Sequence, residues 1–252
     1  MERFEEIDII KGIAVICMVI FHIFYFPNQY GFKEINYDTK ELNFIAKTAQ
    51  FIFITCVGIN LVLANANNKS KSEKFNSNIK RILKIAVLAG FMSLFTYFVF
   101  GEKYVKFGIL HFIAFSSLVL FMFVNERKII LIITCILSAL YILIKFYPRL
   151  FENVSEPVAF IMGFYNKSYQ SIDHFSIVPW MILVCVGIFI GHYIIKEKPK
   201  IKLLTDNPLS EHLKKIGKYS LEIYAVHWLV LYYIFAFIYP KYFRDRVLKY
   251  KI

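Results

Sequence analysis

Charged residues are scarce in this 252-residue chain. Only 19% of the residues are charged, whereas 58% are hydrophobic and 18% aromatic; a soluble domain usually has about 25% charged and about 45–50% apolar residues. One core could not absorb that surplus, because a protein of this size must still cover a large surface with polar groups. The composition excludes a disordered or collagen-like chain and disfavours a nucleic-acid-binding globule. It favours a protein whose solvent is the bilayer.

Several short motifs are also missing. The chain has no GxxxxGK[ST] phosphate loop, no GxGxxG fingerprint after a strand and no HExxH, which disfavours ATP hydrolysis, a bound dinucleotide and a zinc peptidase. The four cysteines each lie inside an apolar run without metal-like spacing. We therefore expect neither disulfides nor a metal site.

Seven apolar runs approach the ~20 residues that a transmembrane helix needs. They cover residues 9–26, 42–63, 82–100, 107–124, 129–146, 177–195 and 219–238. An eighth apolar patch, 158–165, is too short to cross, and 147–176 is the longest loop. The N-terminus lacks the basic region and cleavage site of a secretory signal, so we expect the first run to remain as an anchor. The prediction is an all-α, polytopic bundle of about seven spans, forming one membrane-embedded domain over residues 1–252.

The basic residues predict the orientation. Lys and Arg number 30 against 18 Asp and Glu, a formal charge of +12, and most of them fall between the apolar runs. The long basic segments 69–84 and 196–218 lie on the same side as the N-terminus if every run crosses. The positive-inside rule then predicts a multi-pass protein of the cell membrane with a cytoplasmic N-terminus. The basic tail after residue 240 argues against seven crossings, so the side of the C-terminus stays open.

The first span carries three ionisable residues on one stripe. At ~100° per residue, Lys11 and His22 lie about 20° apart on a helix, and Asp8 lies about 40° from His22. A charged group costs roughly 2.5–3.5 kcal/mol at the centre of a span, so such residues usually serve a function. The alternative interpretation is an interfacial Asp–Lys pair with a histidine at the outer headgroups.

Three further candidates have the same predicted depth as His22. His111 opens the fourth span, and Asp173 and His174 precede the sixth. Imidazoles with a carboxylate to orient one ring could form a general-base site; the alternative is that each histidine lies separately at the interface.

The last span carries a second polar face. Ser220 and His227 share this face, with Tyr224 about 60° from His227. Ser220 and His227 are ~10 Å apart along the axis, too far for a direct hydrogen bond. We interpret this face as polar packing or substrate lining. No metal ligand is predicted.

The motifs resemble a known family. Residues 3–12 (RFEEIDIIKG), continuing to His22, resemble the opening of integral membrane acyltransferases, whose first span carries an Asp, a basic residue before Gly, and a later His. Residues 51–58 (FIFITCVG) are similar to their second span. Residues 107–111 (FGILH), and Asp173 followed by PW and two glycines, resemble the heparan-alpha-glucosaminide N-acetyltransferase catalytic-domain family. Residues 217–227 (GKYSLEIYAVH) resemble a closing span shared with polysaccharide O-acyltransferases.

The resemblance implies an activity. The family passes an acyl group, here expected to be acetyl, from cytoplasmic acyl-CoA to a sugar amine or hydroxyl across the membrane, with a histidine as general base. The implied catalytic residues are His22, His111, Asp173 and His174, and those facing acetyl-CoA are Lys11, Ser220, Tyr224 and His227. Expected partners are acyl-CoA, a glycan or other small acceptor, and membrane lipid, but no nucleic acid; a homo-oligomer is left open.

Two departures from the family pattern stand out. The family usually has arginine where this chain has Lys11, and lysine lacks the bidentate fork. The animal heparan enzymes use a histidine in the loop after the first span, yet residues 27–40 contain none; His22 matches the polysaccharide O-acyltransferase pattern instead. The rival functions are a proton-coupled small-solute transporter, using the same intramembrane residues, and a non-catalytic membrane module.

Overall fold

A computed structural model describes residues 4–29, 36–66, 70–164, 171–197 and 208–240. In this part of the chain the secondary structure is helical apart from one isolated bridge. The α-helices are α1 (Glu5–Gln29), α2 (Lys40–Asn65), α3 (Lys71–Phe100), α4 (Ile109–Leu120), α5 (Arg127–Phe146), α6 (Glu156–Met162), α7 (Ile177–Glu197), α8 (Pro208–Lys218) and α9 (Ser220–Ile238). Two short 3-10 helices, Gly101–Lys103 and Pro148–Phe151, follow α3 and α5.

Six of these helices are long and apolar enough to cross a membrane: α1, α2, α3, α5, α7 and α9. The predicted all-α, polytopic class is confirmed. The remaining predicted run, 107–124, is shorter than the others as a helix, because it is an α-helix only over the 12 residues of α4. At 1.5 Å per residue α4 is ~18 Å long, against ~30 Å of hydrocarbon. Within the patch 158–165, only residues 158–162 are helical, as part of the seven-residue α6, and the last residue of the patch lies outside the described part.

The segment that contains α4 nevertheless runs along α3. Near the start of α4, His111 Nε2 lies 3.1 Å from Ser93 Oγ, towards the end of α3. Beyond the end of α4, the ring of Phe121 lies 5.7 Å from that of Phe75, near the start of α3. The two segments are therefore antiparallel.

The chain divides into two compact units. The terminal unit consists of Glu2–Phe53 and Lys200–Ile252 and contains α1, the first half of α2, α8 and α9. The central unit is Ile54–Pro199 and contains the second half of α2 and helices α3 to α7. The single domain over residues 1–252 stays a prediction.

Close helix contacts hold each unit together. In the terminal unit, a Cβ on Gly217 of α8 would overlap the carbonyl oxygen of Asp8 on α1. In the central unit, a Cβ on Gly187 of α7 would overlap the carbonyl oxygen of Thr55 on α2. Both contacts depend on glycine, since small residues let helix backbones approach each other closely.

Candidate active site

Two histidines meet in the terminal unit. The rings of His22 on α1 and His227 on α9 have centroids 4.8 Å apart and planes inclined at 70°. The indole of Trp228 lies 5.5 Å from the His22 ring. His227 is 6% exposed and Trp228 4%. The pair is thus enclosed by aromatic side chains at the contact between α1 and α9.

Backbone carbonyls fix the tautomer of both rings. His22 Nδ1 lies 2.8 Å from the Met18 oxygen, and His227 Nδ1 lies 2.6 Å from the Tyr224 oxygen. A carbonyl oxygen only accepts, so in each neutral ring Nδ1 carries the hydrogen and Nε2 carries the lone pair. The Nε2 of His227 is buried and has no hydrogen-bond partner among the described residues. Both rings therefore offer a basic nitrogen.

The other polar residues of α1 form an ion pair. Lys11 Nζ lies 2.7 Å from Asp8 Oδ1, with both side chains largely buried. The Asp–Lys pair of the alternative interpretation is present, and Lys11 lies eleven residues and ~16 Å along the helix from His22. The Asp8 carboxylate thereby compensates the positive charge of Lys11 within the protein.

Helix α8 places charged side chains beside the N-terminal end of α1. Lys214 Nζ lies 2.7 Å from Glu5 Oε2 and also contacts Glu211. The hydrogen bond from Lys214 lowers the pKa of Glu211, and the hydrogen bonds to Glu211 and Glu5 raise the pKa of Lys214. These exposed pairs contribute little stability, but they help to fix α8 against α1.

The remaining candidates of α9 lie beside His227. The ring of Tyr224 is 5.3 Å from that of His227, and its carbonyl holds His227 Nδ1. Ser220 is the first residue of α9, about two turns earlier. Ser220 and His227 therefore have, along α9, the separation that argues against a Ser–His dyad.

His111 offers a basic nitrogen in the central unit. The Ser93 hydroxyl donates to the Val105 oxygen at 2.5 Å, so it can only accept from His111 Nε2, 3.1 Å away. This leaves the lone pair on Nδ1, which is buried without a hydrogen-bond partner among the described residues. His111 thus has the tautomer opposite to that of His22.

Asp173 caps helix α4. Its Oδ2 accepts from the Ile109 backbone N–H at 3.1 Å, where the N-cap residue, Gly108, has no side chain to do so. The Phe175 N–H donates to the Phe107 oxygen at 2.9 Å, beside a bridge between Phe107 and His174. Burial raises the Asp173 pKa from 3.8 to about 6, although the hydrogen bonds from the backbone oppose this shift.

His174 contacts α6. Its Nε2 donates to the Phe160 oxygen at 2.7 Å, and the two rings stack with centroids 3.8 Å apart. Burial lowers the His174 pKa. His111, Asp173 and His174 thus each have their own partners: a serine, a helix N-terminus and a phenylalanine.

The candidate residues therefore fall into two groups, one in each unit. His22, Lys11, Ser220, Tyr224 and His227 belong to the terminal unit, and His111, Asp173 and His174 to the central unit. A common site for His22 and the central candidates stays a prediction. The pairing of His22 with His227 and Trp228 was not predicted; the only sequence signal was that the two histidines lie on the motifs of the first and closing spans, with Trp228 next to His227.

The comparisons with known proteins identify the family. No curated protein and no solved structure matches the chain significantly. The family model described as heparan-alpha-glucosaminide N-acetyltransferase, catalytic, matches residues 3–229. The match covers both groups of candidate residues and most of the chain. The chain therefore belongs to the heparan-alpha-glucosaminide N-acetyltransferase catalytic-domain family.

Proposed function

We propose that this protein transfers an acetyl group from acetyl-CoA across the membrane to a sugar amine or hydroxyl. Family membership supports acetyl transfer, and the six long apolar helices support catalysis within a bilayer. The observation that carries the proposal is the enclosed imidazole pair, His22 and His227, with two lone pairs on Nε2.

In the proposed reaction His22 is the general base. Its Nε2 takes the proton from the acceptor nitrogen or oxygen as that atom attacks the thioester carbonyl. The new C–N or C–O bond forms, the C–S bond breaks, and the thiolate of coenzyme A leaves and recovers a proton. A neutral imidazole suits this step because its lone pair is free in the neutral form.

The donor would enter from the basic face. Lys215 and Lys218 on α8 are exposed, and we propose that such lysines attract the phosphates of coenzyme A electrostatically. The further lysines of 196–218 at positions 198, 200 and 202 lie outside the described residues. Lys11, Ser220 and Tyr224 are proposed to contact the donor's arm.

The central candidates keep a proposed role. His111 offers a buried Nδ1 lone pair and is the alternative general base. Asp173 and His174 bond to backbone groups of the central unit, and their proposed catalytic role rests on the family resemblance alone.

Reconstitution tests the proposal. Purified protein in liposomes receives labelled acetyl-CoA on one side and candidate amino sugars or glycans on the other, and labelled product is counted. His22→Ala should reduce transfer about 10²–10⁴-fold, the usual contribution of a general base. His212→Ala is the control, because His212 is exposed on α8 and has no proposed role.

Three outcomes would contradict parts of the proposal. Undiminished transfer by His22→Ala would remove His22 from the mechanism, and loss only in His111→Ala would assign the base to His111. Acceptor-driven proton flux without coenzyme A would favour a transporter.

A further inference from the structure

Helix α3 carries an arginine whose charge has no counter-ion in the part of the chain that the structure describes. Arg81 is half-buried, and its Nε is enclosed without a hydrogen-bond partner there. The guanidinium also forms no ion pair with a described carboxylate. We propose that Arg81 binds a phosphate ester at the membrane surface on which α3 begins.

The position of Arg81 along α3 sets its depth. Residues 71–80 (KSEKFNSNIK) are mostly polar, and the apolar run begins at Ile82. The 30 residues of α3 make a helix ~45 Å long, whereas the hydrocarbon is ~30 Å thick. The polar start of α3 therefore extends into the headgroup layer, and Arg81 lies at the boundary with the hydrocarbon.

The position of Arg81 around α3 explains its partial burial. One face of α3 is buried and consists of Asn78, Ile82, Ile85, Ala89, Met92 and Thr96. At ~100° per residue Arg81 lies about 60° from Asn78, at the edge of this face. Long helical side chains point back towards the start of their helix. The edge position thus encloses Nε, while the two terminal nitrogens are directed towards the headgroups.

The surrounding charge of α3 is positive. Lys74 lies within about 20° of Arg81, two turns closer to the start of the helix, and Lys84 lies one turn further on, about 60° away. The one acid of residues 71–84 is Glu73. Its Oε2 accepts from the Ser70 backbone N–H at 2.8 Å, in the capping box that begins the helix. An anion at Arg81 therefore meets additional cations.

Phosphate chemistry fits these observations. A charged group that is taken out of water is normally paired, and the planar guanidinium donates to two phosphate oxygens at once. Basic sites between transmembrane helices bind anionic lipid headgroups on the cytoplasmic side, which is the predicted side of the α3 start. Coenzyme A carries the same phosphate chemistry and would arrive from that side. A role for coenzyme A rests on the proposed function, whereas a lipid headgroup does not.

Lipid binding tests the first source of phosphate. Delipidated protein in detergent is titrated with phosphatidylglycerol, or with a glucosyl-diacylglycerol that has the same chains but no phosphate, and native mass spectrometry counts the bound lipid. If the ligand is a headgroup, Arg81→Gln should weaken phosphatidylglycerol binding about ten-fold or more, the usual loss for a hydrogen bond to a charged group. Binding of the glucosyl lipid should not change. Lys80→Gln is the matched control, because Lys80 is the adjacent cation and is exposed.

Calorimetry tests the second source. Coenzyme A and pantetheine, which lacks the phosphates, are titrated into the wild type, Arg81→Gln and Lys80→Gln. If the ligand is the donor, Arg81→Gln should weaken coenzyme A binding about ten-fold or more and leave pantetheine binding unchanged. Arg81→Lys provides a second variant that keeps the charge but lacks the planar fork. It should retain part of the affinity for the ligand that binds.

The combined results identify the ligand or overturn the site. Loss of one phosphate ligand names the source, and loss of both means that they compete for one site. Unchanged affinities for both ligands in Arg81→Gln and Arg81→Lys, or an equal loss in Lys80→Gln, would overturn the proposal. If the wild type transfers no acetyl group but Arg81→Gln loses phosphatidylglycerol, the proposed function fails and the site stands. If transfer occurs but neither ligand depends on Arg81, the site fails and the proposed function stands.

Discussion

At the scale of single residues, hydrogen-bond partners decide which nitrogen can act as a base. Carbonyl partners leave Nε2 basic in His22 and His227, whereas His111 donates through Nε2 to Ser93 and keeps a basic Nδ1. The sequence could place these histidines inside apolar runs. It could not reveal their tautomers, because each depends on one carbonyl or hydroxyl that only the folded chain brings within reach.

Asp173 makes stability depend on pH. Burial raises its pKa from 3.8 to about 6, so the folded state prefers the neutral carboxyl. The stability that this preference provides is complete below pH 3.8 and is lost as the pH rises to about 6. Asp173→Asn, which keeps an acceptor for the Ile109 N–H but cannot ionise, should therefore gain stability over the wild type between pH 4 and 7.5. Thermal denaturation in detergent at these two pH values measures the gain.

The capping role of Asp173 has its own control. Asp173→Ala removes the acceptor at the start of α4 and should cost about 1 kcal/mol, or about 2–4 °C in Tm, even at pH 4. If the Tm difference between the wild type and Asp173→Asn is the same at both pH values, that result would contradict the burial of an ionisable carboxyl. An Asp173→Ala variant as stable as Asp173→Asn would contradict the cap.

At the scale of elements, the apolar runs predicted the six long helices of the described chain, because the length of an apolar run can be read from the local sequence. The end of α4 at Leu120 could not be predicted in the same way. Residues 121–124 are as apolar as the helix before them, and no Gly or Pro interrupts them. The chain turns there through hydrogen bonds from the Phe123 N–H to the Leu120 oxygen and from the Glu126 N–H to the Phe123 oxygen.

The pairing of His22 with His227 could not be predicted for a related reason. It joins helices about two hundred residues apart, and periodicity describes only one helix at a time.

The contact between α2 and α7 depends on the absence of a single side chain. Gly187→Ala would place a Cβ into the Thr55 carbonyl oxygen, and the helices would have to move apart. We expect a loss of about 1–3 kcal/mol, the usual cost of overpacking. Gly90→Ala is the matched control, because Gly90 lies on α3 with nothing within 4 Å of the added carbon. Alanine there should be neutral or stabilising, since it favours a helix more than glycine does.

Thermal denaturation of both variants in the same detergent compares the two sites. Equal Tm values for Gly187→Ala and Gly90→Ala would mean that the helix contact tolerates an extra carbon. That result would contradict the close approach.

At the scale of the whole molecule, the short helix α4 decides how many times the chain crosses. Because the α4 segment runs antiparallel along α3, the turn after α4 should lie on the side where α3 begins. Ser72, Glu126 and Glu102 are exposed sites at the start of α3, after α4 and after α3. In a protein whose native cysteines are replaced, Ser72→Cys and Glu126→Cys should therefore be labelled from one side of the membrane, and Glu102→Cys from the other.

A membrane-impermeant thiol reagent applied to intact cells measures this directly. The positive-inside rule places the α3 start inside, so only Glu102→Cys should react before the cells are opened, while all three should react afterwards. Labelling of Glu126→Cys together with Glu102→Cys would show that the α4 segment returns without crossing, which leaves six spans. Labelling of Ser72→Cys from outside would reverse the orientation of α3. Two long apolar helices, α5 and α7, follow Glu126 before the basic α8, so two crossings would bring α8 to the side on which Glu126→Cys is labelled. The direction of acetyl transfer proposed here therefore depends on where Glu126→Cys is labelled.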